Sequence, residues 1–134
     1  MNDIHLPRKI VNQILMHAQS ASKEEICGFI SQKAGEVLSC YPIQNSAKDP
    51  VHFFQMNAKA QIDAMRAMRE NGEELFAIYH SHPESEAYPS VTDIQDSQYP
   101  EANYLIVSLG TKGVLDLRAY RLHKGEVEPL GIII

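Results

Sequence analysis

From the amino end, apolar residues first recur at helical spacing. After Pro7, the side chains of Ile10, Ile14, Leu15 and Ala18 share one face, and proline is at home where a helix opens. The pattern then changes. EEICGFIS leads through the turn QKAG into EVLSCYPIQN, which predicts a β-hairpin from Glu25 to about Ile43. Residues 45–50 are loop formers, and VHFFQ after them reads as a short strand. Asn57 is a suitable N-cap for a helix from Ala58 to Glu70, with Ile62, Met65 and Met68 on its buried stripe and Gly72 ending it. ELFAIYHSH is an apolar strand that ends on two histidines, and ANYLIVSL is another. TKG turns into VLDLRAYRLH, whose alternation suggests one wet face, and KG turns into a final strand ending GIII. The order α-β-β-β-α-β-loop-α-β-β-β predicts one α+β domain over residues 1–134, a curved and mostly antiparallel sheet flanked by helices.

Composition narrows the classes. A chain of 134 residues fits one domain and can bury a core without disulfides. Net charge is -5 and the basic residues are scattered, which argues against nucleic acid or an anionic membrane as partner. Cys27 and Cys40 form no CxxC pair, so a cysteine-based zinc ribbon is excluded. Both read as thiols of a reducing compartment, although a disulfide is open to them if their strands pair. MNDIHLPRK lacks the pattern of a signal peptide, and no apolar run spans a bilayer. A bacterial or archaeal cytoplasm is the expected location.

Chemistry concentrates in His80-Ser81-His82-Pro83 and Ser90-Val91-Thr92-Asp93. Histidines at i and i+2 of a strand point to the same face. Pro83 ends the pairing, and the loop PESEAYP is long enough to fold back and bring Asp93 to the imidazoles. Two nitrogens and one carboxylate oxygen suit a tetrahedral zinc, one per chain, with a fourth position open. Ser90-x-x-Asp93 is equally a capping box that needs no metal. Zinc-dependent hydrolysis also needs a base, and the early strand offers Glu25, which alternation turns away from Ile26 and toward the side of Cys27, although a glutamate at a strand start is ordinarily just solvated. Glu24 reads as a solvated neighbour.

Glu25 in EEICGF, then HSHP, then Ser90-x-x-Asp93, resembles the JAMM (MPN+) metallopeptidase family over nearly the whole chain, and HSHPESEAYPSVTD resembles its bacterial and archaeal branch. The resemblance implies the MPN/JAB, cytidine-deaminase-like architecture. It implies His80, His82 and Asp93 as zinc ligands, Glu25 as general base and Ser90 as a hydrogen-bond donor to the developing oxyanion. It also implies a substrate: the C-terminal tail of a small β-grasp sulfur-carrier or ubiquitin-like protein, from which cysteine or a short extension is released. Two alternatives stay open, an isopeptidase acting on lysine-linked modifiers and a non-catalytic MPN-type binding module. His5, His17 and His123 lack ligand spacing to one another, and His52 alone among the remaining histidines is kept as a groove residue. HExxH, GxSxG, phosphate-loop and zinc-deaminase signatures are all absent.

Overall fold

The computed structural model describes residues 2–110 and 116–134. Its elements, in chain order, are β1 (Asp3–His5), α1 (Arg8–Ser20), β2 (Cys27–Lys33), β3 (Glu36–Ile43), α2 (Ala58–Glu70), β4 (Glu74–His82), α3 (Val91–Gln95), β5 (Asn103–Ser108), β6 (Asp116–His123) and β7 (Glu126–Ile133). The strands form one sheet in the order β1-β7-β6-β5-β4-β2-β3. Neighbours are antiparallel except β1–β7 and β4–β5. The α+β class with a curved, mostly antiparallel sheet and flanking helices is what the sequence pattern leads one to expect.

Two hairpins set much of the register. Ala34-Gly35 and Lys124-Gly125 each place two successive residues at positive φ, the geometry whose twist matches that of the flanking strands. The parallel β4–β5 pair is different in kind. Parallel neighbours cannot be joined by a tight turn and need a crossover. That crossover, residues 83–102, leaves from His82 and returns to Asn103, and so carries α3 over the end of β4.

Alternation along β4 divides the core. Ala77 and Tyr79 join the cluster beneath α1, which holds Ile10, Ile14, Ala18, Ile26 and Leu105. Ile78 joins the cluster beneath α2, with Phe29, Ala64, Met68 and Ile106. His80 and His82 continue the α2-side series. Gly28 of β2 accommodates this packing, since a Cβ there would lie 2.5 Å from the Tyr79 ring.

Several details depart from the sequence reading. VHFFQ is not a strand: the amides of His52 and Phe53 both donate to the Asp49 carbonyl, closing a turn that uses the groups a ladder would need. β1 escapes the pattern because it is three residues long and buries Ile4 alone. Ile62 is 58% exposed; the buried phase of α2 runs through Ala64 and Met68, with Met65 half-buried. β6 is covered on both faces around Ala119, Tyr120 and Leu122 rather than wet on one. The TKG turn and the start of VLDLRAYRLH lie outside the described residues. In the β2–β3 register Cys27 faces Ile43 and Cys40 faces Ile30, so the thiols are offset and both are free. No helix among the described residues is long and apolar enough to cross a membrane.

Candidate metal centre

The end of β4 and the start of α3 meet around three atoms. His80 Nε2 lies 3.1 Å from His82 Nε2, and Asp93 Oδ2 lies 3.0 Å from the first and 3.1 Å from the second. All three side chains are buried. Asp93 is held by a capping box: its amide donates to Ser90 Oγ at 3.0 Å, and the Ser90 amide donates to Asp93 Oδ2 at 2.9 Å. The capping reading of Ser90-x-x-Asp93 and the ligand reading are therefore compatible. The cap is what aims the carboxylate at the imidazoles.

Hydrogen bonding fixes the state of one ring. His82 Nδ1 donates to the Glu86 carbonyl at 2.8 Å. A carbonyl only accepts, so a neutral His82 must present a bare lone pair at Nε2. That lone pair faces a carboxylate oxygen and a second imidazole nitrogen. A proton on His80 Nε2 or a cation at the centre of the triangle relieves the repulsion among these atoms. Burial opposes charge on both groups. Even so, Asp93 holds His82 above its ordinary value, and the histidines with the Ser90 amide hold Asp93 well below the usual carboxylate range. The sides of 3.0–3.1 Å approach the roughly 3.3 Å edge of a tetrahedron with zinc bonds of about 2.0 Å. The donor set is compatible with a zinc site.

Glu25 completes the cluster. It, His80, His82 and Asp93 each offer an atom within 4.8 Å of the others. Glu25 is 5% exposed, whereas Glu24 is exposed. Its backbone is gripped on both sides, the amide donating to the Pro50 carbonyl at 2.7 Å and the carbonyl accepting from Asn45 Nδ2 at 2.9 Å. Burial raises its carboxyl from an ordinary 4.5 to about 8, and Oε1 has no hydrogen-bond partner among the described residues.

The remaining histidines sort themselves. His17 pairs with the Tyr79 hydroxyl at 2.8 Å, and His5 and His123 are exposed. His52 pairs with Asp49 at 2.9 Å on the exposed turn whose Pro50 carbonyl receives the Glu25 amide, close enough for its charge to act on Glu25. It is a rim residue and outside the ligand cluster. Sequence reasoning missed Phe54, whose ring stacks on His80 with centroids 4.4 Å apart and planes 25° apart. It also missed the Glu86 carbonyl and the pinning of residues 83–89 by Ser108 Oγ and the Tyr120 hydroxyl. No residue type announces a backbone acceptor. An aromatic pair beside a loop was the one visible signal.

A model of prokaryotic homologs of the JAB domain matches residues 7–123. The chain belongs to this family. It is similar to the CysO-cysteine peptidase of Mycobacterium tuberculosis, 33% identical over 128 residues that cover 92% of this chain and 87% of the relative. It is also similar to a probable TtuB-protein conjugate cleaving protease of Thermus thermophilus, 29% identical over 97% of this chain and 83% of the relative. A solution structure of a protein from Desulfitobacterium hafniense superimposes with a TM-score of 0.85 at 30% identity, covering 96% of this chain and 90% of the other. The prokaryotic JAB-domain assignment and the seven-stranded sheet thus agree with the family resemblance seen in the sequence.

Proposed function

We propose that this chain is a zinc metallopeptidase that hydrolyses an amide bond at the C-terminal tail of a small β-grasp sulfur-carrier or ubiquitin-like protein, releasing cysteine or a short extension. The observation that carries the reading is the convergence of Glu25, His80, His82 and Asp93 within 4.8 Å, in a chain with a CysO-cysteine peptidase among its relatives.

In this reading His80, His82 and Asp93 hold one zinc ion. Bound there, zinc supplies Lewis acidity toward the scissile carbonyl and lowers the pKa of water to about 7. Glu25 accepts a proton from the attacking water and passes it to the leaving amine. Burial raises this carboxyl in the metal-free protein, and a bound cation beside it would favour the ionised form that a base requires. Ser90 Oγ accepts the Asp93 amide, which leaves its own O–H free to donate to the developing oxyanion. An extended tail that adds as a strand presents its last peptide bond to the site without bringing the folded carrier inside. A reducing cytoplasm suits both free thiols.

The conjugate-cleaving relative favours a second reading, an isopeptidase acting on a modifier linked to lysine. Intact-mass measurement after incubation with a carrier ending in cysteine, and separately with a lysine-linked carrier conjugate, separates the two. Loss of one cysteine from the first is the expected result; cleavage of the second alone selects the isopeptidase, and no cleavage of either by the zinc-loaded protein removes both. Glu25→Gln should keep zinc and fold while losing at least ~100-fold in turnover; Glu24→Gln should match the wild type.

A further inference from the structure

His80 and His82 stand two residues apart on the same face of β4, yet their rings are oriented in different ways. His82 is tied through Nδ1 to the Glu86 carbonyl. The corresponding atom of His80 is buried and has no hydrogen-bond partner among the described residues. A metal-binding imidazole ordinarily has its second nitrogen tied, because the outer torsion of histidine is broad and the ring otherwise swings. What lies on His80 instead is a flat ring. Phe54 stacks on it at 4.4 Å with a 25° interplanar angle, while His82 meets it edgewise at 62°.

Phe54 belongs to no helix or strand, so something must hold it in place. Asn45 does so with both polar atoms of its side chain. Its Nδ2 donates to the Phe53 carbonyl and to the Glu25 carbonyl, each at 2.9 Å. Its Oδ1 accepts from the amides of Gln55 and Ala47, each at 3.0 Å. The two residues that bracket Phe54 are thus bonded to one side chain, which also grips the backbone of Glu25. Ser46 adds a backbone bond to Gln55 at 2.7 Å.

We propose that Phe54 is a positioning residue that fixes the ring plane of His80 by stacking, and that Asn45 anchors it there while tying the same loop to Glu25. The proposal rests on the zinc-site reading above. Stacking replaces the missing hydrogen bond: it leaves Nδ1 dry and sets the direction in which Nε2 points. Asn45 makes the placement of the His80 ring and that of Glu25 parts of one arrangement, although His80 lies on β4 and Glu25 in the segment before β2.

The test uses the full chain and three readouts: zinc affinity by competition with a chromogenic chelator, the visible spectrum of the cobalt-substituted protein, and the melting temperature. Phe54→Leu keeps bulk and removes the plane. It should weaken zinc by about 10- to 100-fold, the scale of a lost orienting partner, and alter the cobalt spectrum with little change in melting. Phe54→Tyr restores a flat ring and should return both readouts to wild type. Asn45→Asp keeps the Oδ1 acceptor but sets an oxygen against two carbonyls, so it should weaken zinc in the same way. If Asn45 acts through Phe54, the double variant Asn45→Asp, Phe54→Leu should be no weaker than the worse single one. Wild-type zinc affinity and an unchanged cobalt spectrum in Phe54→Leu would overturn the proposal. Unfolding of Phe54→Leu and of Phe54→Met alike would also overturn it, making Phe54 a packing residue. A wild-type protein that binds no zinc fails the zinc-site reading itself, before any variant is compared.

Discussion

The two faces of β4 treat their polar groups in opposite ways. Toward α1, Tyr79 is fully buried, yet its hydroxyl meets His17 at 2.8 Å and receives the Cys40 thiol at 3.4 Å. Ser81 on that side accepts the Ile26 amide at 2.9 Å. Among the described residues, every buried side-chain nitrogen or oxygen there has a partner, as stability demands. Toward α2 the same strand buries His80 and His82 against Asp93 and Glu25, and among the described residues His80 Nδ1 and Glu25 Oε1 have no partner. One strand therefore carries a satisfied side that holds the fold and a side that gathers metal-ligating groups. Substitutions on the first should change stability and spare chemistry; on the second they should do the reverse.

The largest effect separates the faces most sharply. His82→Ala removes one corner of the triangle and should lose most of the zinc and nearly all turnover while the protein stays folded, as metal analysis and circular dichroism on one sample would show. Zinc retained with full turnover would erase the contrast. Ser90→Ala comes next. A donor aimed at transition-state charge is worth roughly 100- to 1000-fold in turnover, whereas loss of the cap alone costs about 1 kcal/mol of stability and little rate. We expect the large loss of rate with zinc retained. Near-normal turnover would leave Ser90 as a cap only.

A pH series sharpens the comparison without substrate. In metal-free protein the Glu25 carboxyl is raised from 4.5 to about 8. Between those values the folded form holds a proton that the unfolded form has released. Stability from this group is thus complete below about 4.5 and drains away as pH climbs toward 8. His82, also raised, acts in the same direction, and Asp93, lowered, contributes stability that is lost only in acid. Urea midpoints of metal-free wild type should fall from pH 5 to pH 8 more steeply than those of Glu25→Gln; parallel slopes would mean that Glu25 carries no such strain. The smallest effect belongs to the other face. Tyr79→Phe leaves His17 and Cys40 to find new partners and should cost about 1 kcal/mol, with turnover unchanged in the folded protein.

Much of this was legible in the sequence, for physical reasons that can be named. Both hairpins, the Asn57 cap and the strand ending in His80-Ser81-His82 follow from local rules of turn, cap and alternation. Glu25 over Glu24 followed from the family resemblance, whose glutamate stands two residues before the Cys of the Cys27-Gly28 pair. What stayed hidden depends on partners distant along the chain. β1 exists because Ile4 pairs beside Ile132 of β7. Ile62 looks like core by spacing, but α2 rolls so that Ala64 and Met68 face the sheet. VHFFQ carries the composition of a strand and becomes a turn because Asp49 captures two of its amides. The orienting contacts of the site, Phe54 on His80 and Glu86 on His82, arise only once the crossover and the loop before α2 have closed over β4.

The parallel pairing of β4 with β5 also bears on the order of events in the cell. Residues of the cluster enter at positions 25, 80, 82 and 93, and the last is held in place by a segment that β5 must fasten from beyond it. A chain still being made has both histidines before it has the strand that brings the carboxylate home. The apolar layers beneath α1 and α2 contain none of these four residues. The complete set of four is thus assembled only after β5 has been made and paired.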